Sequence, residues 1–140
     1  MAFLDLDDPR HVRADGKLRS EIAVWLTTVT PDGQPQTTPV WFRWDGDTFL
    51  IYSQPDRPKL RNIAQDPKVS LHLVGDREGE DAITFEGTAV VDPSVPRADR
   101  LDGYMEKYTA LVERFGWTPS SMAADYSVAI RVTPTRVRIL

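Results

Sequence analysis

The segment EIAVWLTTVTPDGQPQTTPVWFRWDGDTFLIYS, from Glu21 to Ser53, decides the fold class. It contains three runs rich in β-branched and aromatic residues, which is typical of strands. The runs are joined by TPDGQ and DGD, and such Asp-Gly dipeptides favour tight hairpin turns. The segment therefore predicts three antiparallel strands that follow one another as a meander: Glu21–Val29, Gln36–Trp44 and Thr48–Ser53.

Two further segments continue the β pattern. KVSLHLVG, from Lys68 to Gly75, alternates apolar and polar residues, as in a half-buried strand. DAITFEGTAVVD, from Asp81 to Asp92, predicts a long strand with Gly87 as a bulge or bend. At the end of the chain, YSVAIRVTPTRVRIL predicts one strand, a Thr-Pro turn and a final strand.

Two helices interrupt these strands. The first is predicted to start with Asp56 as N-cap and Pro58 in its first turn, and to stop at Asp66, before Pro67. The second is predicted from Pro96 to Phe115, because apolar residues recur there at helical spacing.

The order of elements predicts a mainly β (α+β) fold. We expect a six- to seven-stranded antiparallel barrel with short flanking helices, since closure of the sheet removes exposed edges. Residues 1–20 are predicted to be an N-terminal segment with a short helix near Pro9–Arg19. Residues 21–140 are predicted to form a single barrel domain.

The composition excludes several classes of function. The chain has 140 residues and a net charge of −4, so no overall field attracts it to nucleic acid or to a membrane surface. It has no cysteine and two histidines, which argues against thiolate chemistry and against a metal site. No apolar run approaches the roughly 20 residues that a membrane span requires. We therefore expect a cytoplasmic protein.

A local cluster of cations contrasts with this acidic balance. In SQPDRPKLRN, from Ser53 to Asn62, the residues Arg57, Lys59 and Arg61 surround the predicted start of a helix. Unpaired N–H groups at a helix start favour an anion, whereas cations there oppose the helix dipole. The segment therefore indicates an anion site, although cations on a short helix are also typical of a solvated surface.

Few other residues point to chemistry. The sequence has no G-x-S-x-G motif, no G-x-G-x-x-G and no G-x-x-x-x-G-K. The aromatic residues Trp41 and Trp44 are predicted to lie in the core, and Tyr104 and Tyr108 to pack along a helix. No catalytic side chain is predicted.

Two motifs resemble a known family. DGQPQTTPVWF and the pattern S-x-x-x-R-x-K-x-x-N-I-x-x-D-P-x-V, from Ser53 to Val69, are similar to the flavin/deazaflavin split β-barrel group, the fold of pyridoxamine 5′-phosphate oxidase. More narrowly, they resemble the actinobacterial reductases that depend on coenzyme F420. The resemblance extends over Glu21 to Leu140.

The resemblance implies a homodimer with two cofactor sites at the subunit interface. It places the cofactor ring against Gln36, Thr37, Thr38, Pro39, Val40 and Trp41. It places the phosphate-bearing tail against Ser53, Arg57, Lys59, Arg61 and Asn62. F420 carries a phosphodiester and a glutamate tail, whereas FMN ends in one phosphate, so three cations favour F420.

The implied activity is hydride transfer from reduced F420 to a small electrophilic substrate. The Arg/His clamp expected for the substrate phosphate of vitamin B6 oxidases is missing. Three alternatives stay open: an FMN-dependent oxidoreductase, a carrier that binds F420, FMN or haem without turnover, and a dimeric structural or stress protein. The scarcity of histidine argues against haem.

Overall fold

The computed structural model describes residues 2–140, which form one curled sheet with helices around it. The elements in chain order are α1 (Pro9–Ser20), β1 (Ala23–Val29), β2 (Pro35–Trp41), β3 (Arg43–Trp44), β4 (Phe49–Ser53), α2 (Pro58–Gln65), β5 (Lys68–Leu73), β6 (Ile83–Val91), a short 3-10 turn (Ala98–Arg100), α3 (Asp102–Arg114), α4 (Pro119–Asp125) and β7 (Val128–Ile139). In this part of the chain, no helix is both long and apolar enough to cross a bilayer.

The sheet has seven strands in the order β2-β1-β5-β6-β7-β4-β3, and neighbouring strands are antiparallel. Its two edge strands, β2 and β3, are separated in the chain only by Phe42. The sheet must therefore curl until its edges nearly meet. The predicted fold class, a split β-barrel with short flanking helices, is confirmed.

The predicted meander is wrong at its second strand. Gln36–Trp44 is not one strand: β2 pairs with β1, the chain breaks at Phe42, and β3 pairs with β4. The break occurs because one straight strand cannot belong to both edges of a curled sheet.

A tyrosine holds this junction between β2 and β3. The Tyr108 hydroxyl accepts a hydrogen bond from the Phe42 N–H at 2.8 Å, and it lies 2.6 Å from the Ile22 carbonyl oxygen and 3.0 Å from that of Phe42. The Lys107 ammonium donates to the Phe42 carbonyl at 2.9 Å and lies 3.6 Å from the centre of the Phe42 ring. Helix α3 thus supplies the hydrogen-bond partners that the sheet does not give to Phe42.

The final strand also differs from the prediction. β7 is one continuous strand, and the Thr-Pro turn predicted within it is wrong. The register of β6 against β7 shifts between Glu86 and Gly87, which confirms Gly87 as the site of a bulge. Gly87 lies opposite Pro134, so the irregular pairing accommodates a residue without an N–H.

The helices depart from the prediction at their ends. Arg57, rather than Asp56, is the N-cap of α2, and Asp56 has a left-handed backbone with φ of 61°. The helix predicted from Pro96 begins only at Asp102, after the 3-10 turn. Helix α4 was not predicted.

Two apolar cores meet at β4, every residue of which is buried. Phe49 and Ile51 belong to the barrel core, which also receives Leu18 from α1. Leu50 and Tyr52 belong to a second core formed with α3 and α4. The second core therefore attaches the two helices beside the end of β4. The domain boundary after residue 20 stays a prediction.

We predict that Tyr108→Phe destabilises the fold. Loss of the hydroxyl leaves the buried Phe42 N–H and the Ile22 carbonyl without this partner, at a cost of about 1–3 kcal/mol. Urea unfolding followed by circular dichroism measures the change. Tyr126→Phe is the control, and equal stability of the two variants would contradict the role of Tyr108.

We also predict that Gly87→Ala is destabilising. A Cβ at Gly87 would lie 2.6 Å from the Thr133 carbonyl oxygen, so the backbone must shift, at a cost of about 1–3 kcal/mol. Gly16→Ala in α1 is the control, because an added Cβ there meets no atom within 4 Å. That helix substitution should stabilise by about 0.5–1 kcal/mol. Thermal unfolding measures whether Gly87→Ala lowers the stability of the protein and Gly16→Ala raises it.

Candidate functional site

A cleft of about 340 Å³ opens where the ends of β2 and β4 meet the start of α2 and the α3–α4 connection. Its lining combines strand ends, cations and aromatic rings: Pro39, Val40, Trp41, Tyr52, Ser53, Gln54, Arg57, Lys59, Tyr104, Phe115, Trp117, Met122 and Tyr126. Its volume lies at the lower end of the range for ligand pockets, about 300–1,000 Å³. The cleft is therefore the candidate binding site.

The cationic side of the cleft comes from the connection between β4 and α2. Arg57 and Lys59 are the charged residues of the lining. The Arg57 guanidinium donates to the side-chain oxygen of Gln54, with its Nε at 2.9 Å. Burial lowers the pKa of Lys59, and the charge of Arg57 lowers it further.

These cations have no carboxylate partner. The ion pairs among residues 2–140 do not include Arg57, Lys59 or Arg61. The N-terminus of α2 has no side-chain cap either. Its positive end and two neighbouring cations therefore face the cleft without a compensating anion from the described chain.

Three aromatic residues of the lining come from the α3–α4 connection and from the end of α4. We call Phe115, Trp117 and Tyr126 the aromatic wall. The Phe115 and Trp117 ring centres lie 5.1 Å apart, and those of Trp117 and Tyr126 lie 6.4 Å apart. The Trp41 ring lies 6.3 Å from Phe115 and 6.2 Å from Trp117, so the wall adjoins the end of β2.

Trp41 links the cleft to the junction of the barrel. Its ring is stacked on that of Tyr108, with centres 4.5 Å apart and planes inclined by 2°. The residue is half-buried, so it packs against the helix core and lines the cleft at once. Trp44, in contrast, lies in the barrel core as predicted.

Two tyrosines contribute neutral hydroxyls near the base of the cleft. Burial raises the pKa of Tyr52 to about 12, and burial also raises the pKa of Tyr104. Tyr52 donates a hydrogen bond to the Pro96 carbonyl at 2.6 Å. Both side chains are buried, which confirms the packing role predicted for Tyr104.

The structure brings together six of the predicted site residues. Those in the cleft lining are Pro39, Val40, Trp41, Ser53, Arg57 and Lys59. Ser53 is buried, and its hydroxyl donates to the Gln54 carbonyl at 2.8 Å. The roles of these residues toward a cofactor stay predictions.

The other predicted residues lie outside the lining. Asn62 is buried, and its Nδ2 donates to Thr28 Oγ1 at 3.0 Å and to Gln36 Oε1 at 2.9 Å, so it fastens α2 to β1 and β2. The Thr37 hydroxyl bonds to that of Thr27 at 2.7 Å on the neighbouring strand. Thr38 and Arg61 are exposed.

Sequence reasoning missed the aromatic wall. Its signal is the segment FGWTPSS, from Phe115 to Ser121, in which a glycine stop is followed at once by a Thr-Pro helix start. This pattern brings an aromatic pair to a tight helix connection. No group of three or more metal-ligating side chains was found within residues 2–140.

Comparisons with known proteins agree with this architecture. A family model described as pyridoxamine 5′-phosphate oxidase matches residues 12–140. A pyridoxine/pyridoxamine 5′-phosphate oxidase of Bacteroides thetaiotaomicron is 34% identical over 76 residues, which are 54% of this chain and 35% of that protein. The chain thus spans about a third of the length of this curated relative.

Solved structures show the same fold in proteins whose described functions differ. An F420 reductase is 28% identical, with a TM-score of 0.62 over 89% of this chain and 94% of that one. A conserved hypothetical protein of Mycobacterium tuberculosis is 25% identical, with a TM-score of 0.72 over 91% and 82%. The heme storage protein HutZ of Vibrio cholerae, at 19% identity and a TM-score of 0.63 over 91% and 92%, shares the fold alone.

Proposed function

Because the chain belongs to the pyridoxamine 5′-phosphate oxidase family, we propose that it is an oxidoreductase that works with a flavin-type cofactor, and that this cofactor is coenzyme F420. The observation that carries the proposal is the cleft, which is lined by Arg57 and Lys59 at the start of α2, two cations that form no ion pair within residues 2–140. The similarity to an F420 reductase over 89% of the chain supports the choice of F420.

The chemistry of the lining fits such a cofactor in two respects. Arg offers a planar fork to phosphate or carboxylate oxygens, and Lys adds a compact charge, so this side suits a phosphodiester and the start of an anionic tail. The end of β2 and the Trp41 ring offer an apolar surface to a flat ring. The cleft, at about 340 Å³, is too small for the whole cofactor, so an extended tail must continue along the open side.

The protein contributes placement rather than a side-chain nucleophile. Bound F420 in its reduced form supplies the hydride. Arg57 and Lys59 hold the anionic portion, while Pro39, Val40 and Trp41 orient the ring and limit access of water. Tyr52 and Tyr104 remain neutral at physiological pH, so they add no negative charge to a site that holds an anion.

We predict that Arg57→Ala and Lys59→Ala each weaken F420 binding about tenfold or more, since a hydrogen bond to a charged group contributes about 1.5–3 kcal/mol. Titration followed by deazaflavin fluorescence measures the affinity. Arg61→Ala is the matched control: it removes the same charge outside the lining, and we expect a loss below about threefold after salt screening. Unchanged affinity in both cleft variants would contradict the anion site.

A parallel titration with F420, FMN and haem compares the cofactors. We expect F420 to bind tightest, because its anion is longer than the single phosphate of FMN. Tight binding of FMN without binding of F420 would contradict the cofactor assignment. Oxidation of reduced F420 by conjugated electrophilic acceptors separates a reductase from a carrier.

We further propose a homodimer in which a second copy covers β2. Residues Pro35–Pro39 are all exposed, and β2 pairs only with β1, so this edge of the sheet offers a broad free surface. Pro39 and Val40 also line the cleft, and a copy placed on β2 would enclose it further.

Sedimentation velocity tests this arrangement. We expect a species with twice the mass of the chain at micromolar concentration. A monomer at all concentrations, with full cofactor affinity, would exclude the dimer and leave the cleft of one chain as the complete site.

A further inference from the structure

We propose that the aromatic wall is the substrate platform of the cleft, and that the substrate is an uncharged, planar, conjugated molecule. This inference rests on the proposed function, because it assigns the part of the cleft that the cofactor leaves free. Among the lining residues, those of the wall carry no charge, and the Arg114 guanidinium, 5.6 Å from the Phe115 ring centre, is not part of the lining. The substrate class follows from the exposure, the rigidity and the charge of the wall.

The exposure of the wall indicates a ligand. Phe115 is 48% exposed and Trp117 is 39% exposed, although both line a concave site. Large apolar rings left in contact with water in a cleft mark a binding surface, since their burial by a ligand is favourable. The two ring centres are 5.1 Å apart and the ring planes are inclined by 57°. The rings therefore form two sides of a corner and are not stacked on each other.

The wall is held rigidly by the backbone on both sides. At the end of α3, the Gly116 N–H bonds to the Glu113 carbonyl at 2.9 Å, and the Trp117 N–H bonds to that of Val112 at 3.0 Å. Together with φ of 76° at Gly116, these bonds form a Schellman stop.

The next residue, Thr118, already begins α4. Its side chain and that of Ser121 form a reciprocal capping box, with both bonds to backbone N–H groups at 3.0 Å. Trp117 therefore lies between a helix stop and a helix start with no free linker. A ring placed in this way loses little conformational freedom when a ligand stacks on it.

The charge of the lining selects the substrate class. The charged residues of the lining, Arg57 and Lys59, lie at the N-cap and in the first turn of α2, and the cofactor anion engages them in the proposed complex. The wall itself presents three aromatic rings, one of which, that of Tyr126, bears a hydroxyl group. A charged substrate group would therefore lose water without gaining a partner, whereas a flat neutral ring system gains stacking.

The position of the wall suits the reaction. It adjoins Trp41, at the end of the strand assigned to the cofactor ring. A conjugated C=C bond held there accepts a hydride from reduced F420 at its β-carbon and a proton from solvent at its α-carbon. The double bond becomes a CH–CH single bond, and the cofactor is oxidised by two electrons.

Binding of redox-inert probes tests the inference without turnover. The probes are 1-naphthol, which is planar and neutral, decahydro-1-naphthol, which is neutral but not planar, and naphthalene-1-sulfonate, which is planar but anionic. Calorimetric titration into protein saturated with oxidised F420 should give an affinity for 1-naphthol about tenfold above that for either other probe. Equal affinity for the sulfonate would overturn the proposed substrate class.

Substitutions of Trp117 test whether 1-naphthol binds at the aromatic wall. Trp117→Leu should weaken 1-naphthol binding about five- to tenfold, and Trp117→Phe should retain most of the affinity because it keeps a flat ring. Val74→Ala, at an exposed apolar position outside the cleft, is the control for general loss of apolar surface. An unchanged affinity in Trp117→Leu would overturn the assignment.

Two further readouts separate this inference from others. F420 affinity should stay within about twofold in both Trp117 variants, because the anion site is intact. If no F420 binds to the wild type, the proposed function fails. Titration of the three probes into the protein alone then still shows whether the aromatic wall binds a planar, neutral molecule. If Trp117→Leu converts a dimer into a monomer, the wall is an interface between copies and the substrate assignment is overturned.

Discussion

The structure depends on a junction at which a single residue, Phe42, connects the two edge strands of the sheet, β2 and β3. Phe42 is fully buried between β2 and β3, and a buried backbone N–H or C=O without a partner costs as much as a lost hydrogen bond. The Tyr108 hydroxyl and the Lys107 ammonium supply those partners from α3. These hydrogen bonds join the helix layer to the barrel beside the cleft.

This arrangement is compatible with the proposed anion site in a protein that is acidic overall. The net charge of −4 repels anions at long range, but ionic screening limits that effect to about 10 Å. Within the cleft, Arg57 and Lys59 form no ion pair with a carboxylate of the described residues. The lowered pKa of Lys59, caused first by burial, indicates that its ammonium is already partly withdrawn from water. A bound anion restores the solvation that this group has lost.

The sequence was informative at several places where local chemistry decides structure, although the Thr-Pro turn within β7 and the N-cap at Asp56 were wrong. The Asp-Gly turns and the alternation of β5 led to the correct fold class, and Gly87 was correctly predicted as the site of a bulge. The break at Phe42 was not predictable, because it arises from closure of the whole sheet. Likewise, Asn62 matched a binding motif, yet its amide fastens α2 to β1 and β2. The aromatic wall was missed because exposed and buried rings look alike in a sequence.

The place of β7 has a consequence for the order in which the chain can fold. β7 follows the other six strands of the sheet in the chain, yet it lies between β6 and β4 and joins β4 and β3 to the rest of the sheet. The contacts of Tyr108 with Ile22 and Phe42 likewise join residues 86 and 66 positions apart. A nascent chain that lacks its last strand can form local hairpins but cannot close the barrel. Closure of the barrel therefore depends on long-range contacts, which slow folding and leave the sheet incomplete until β7 has been synthesised.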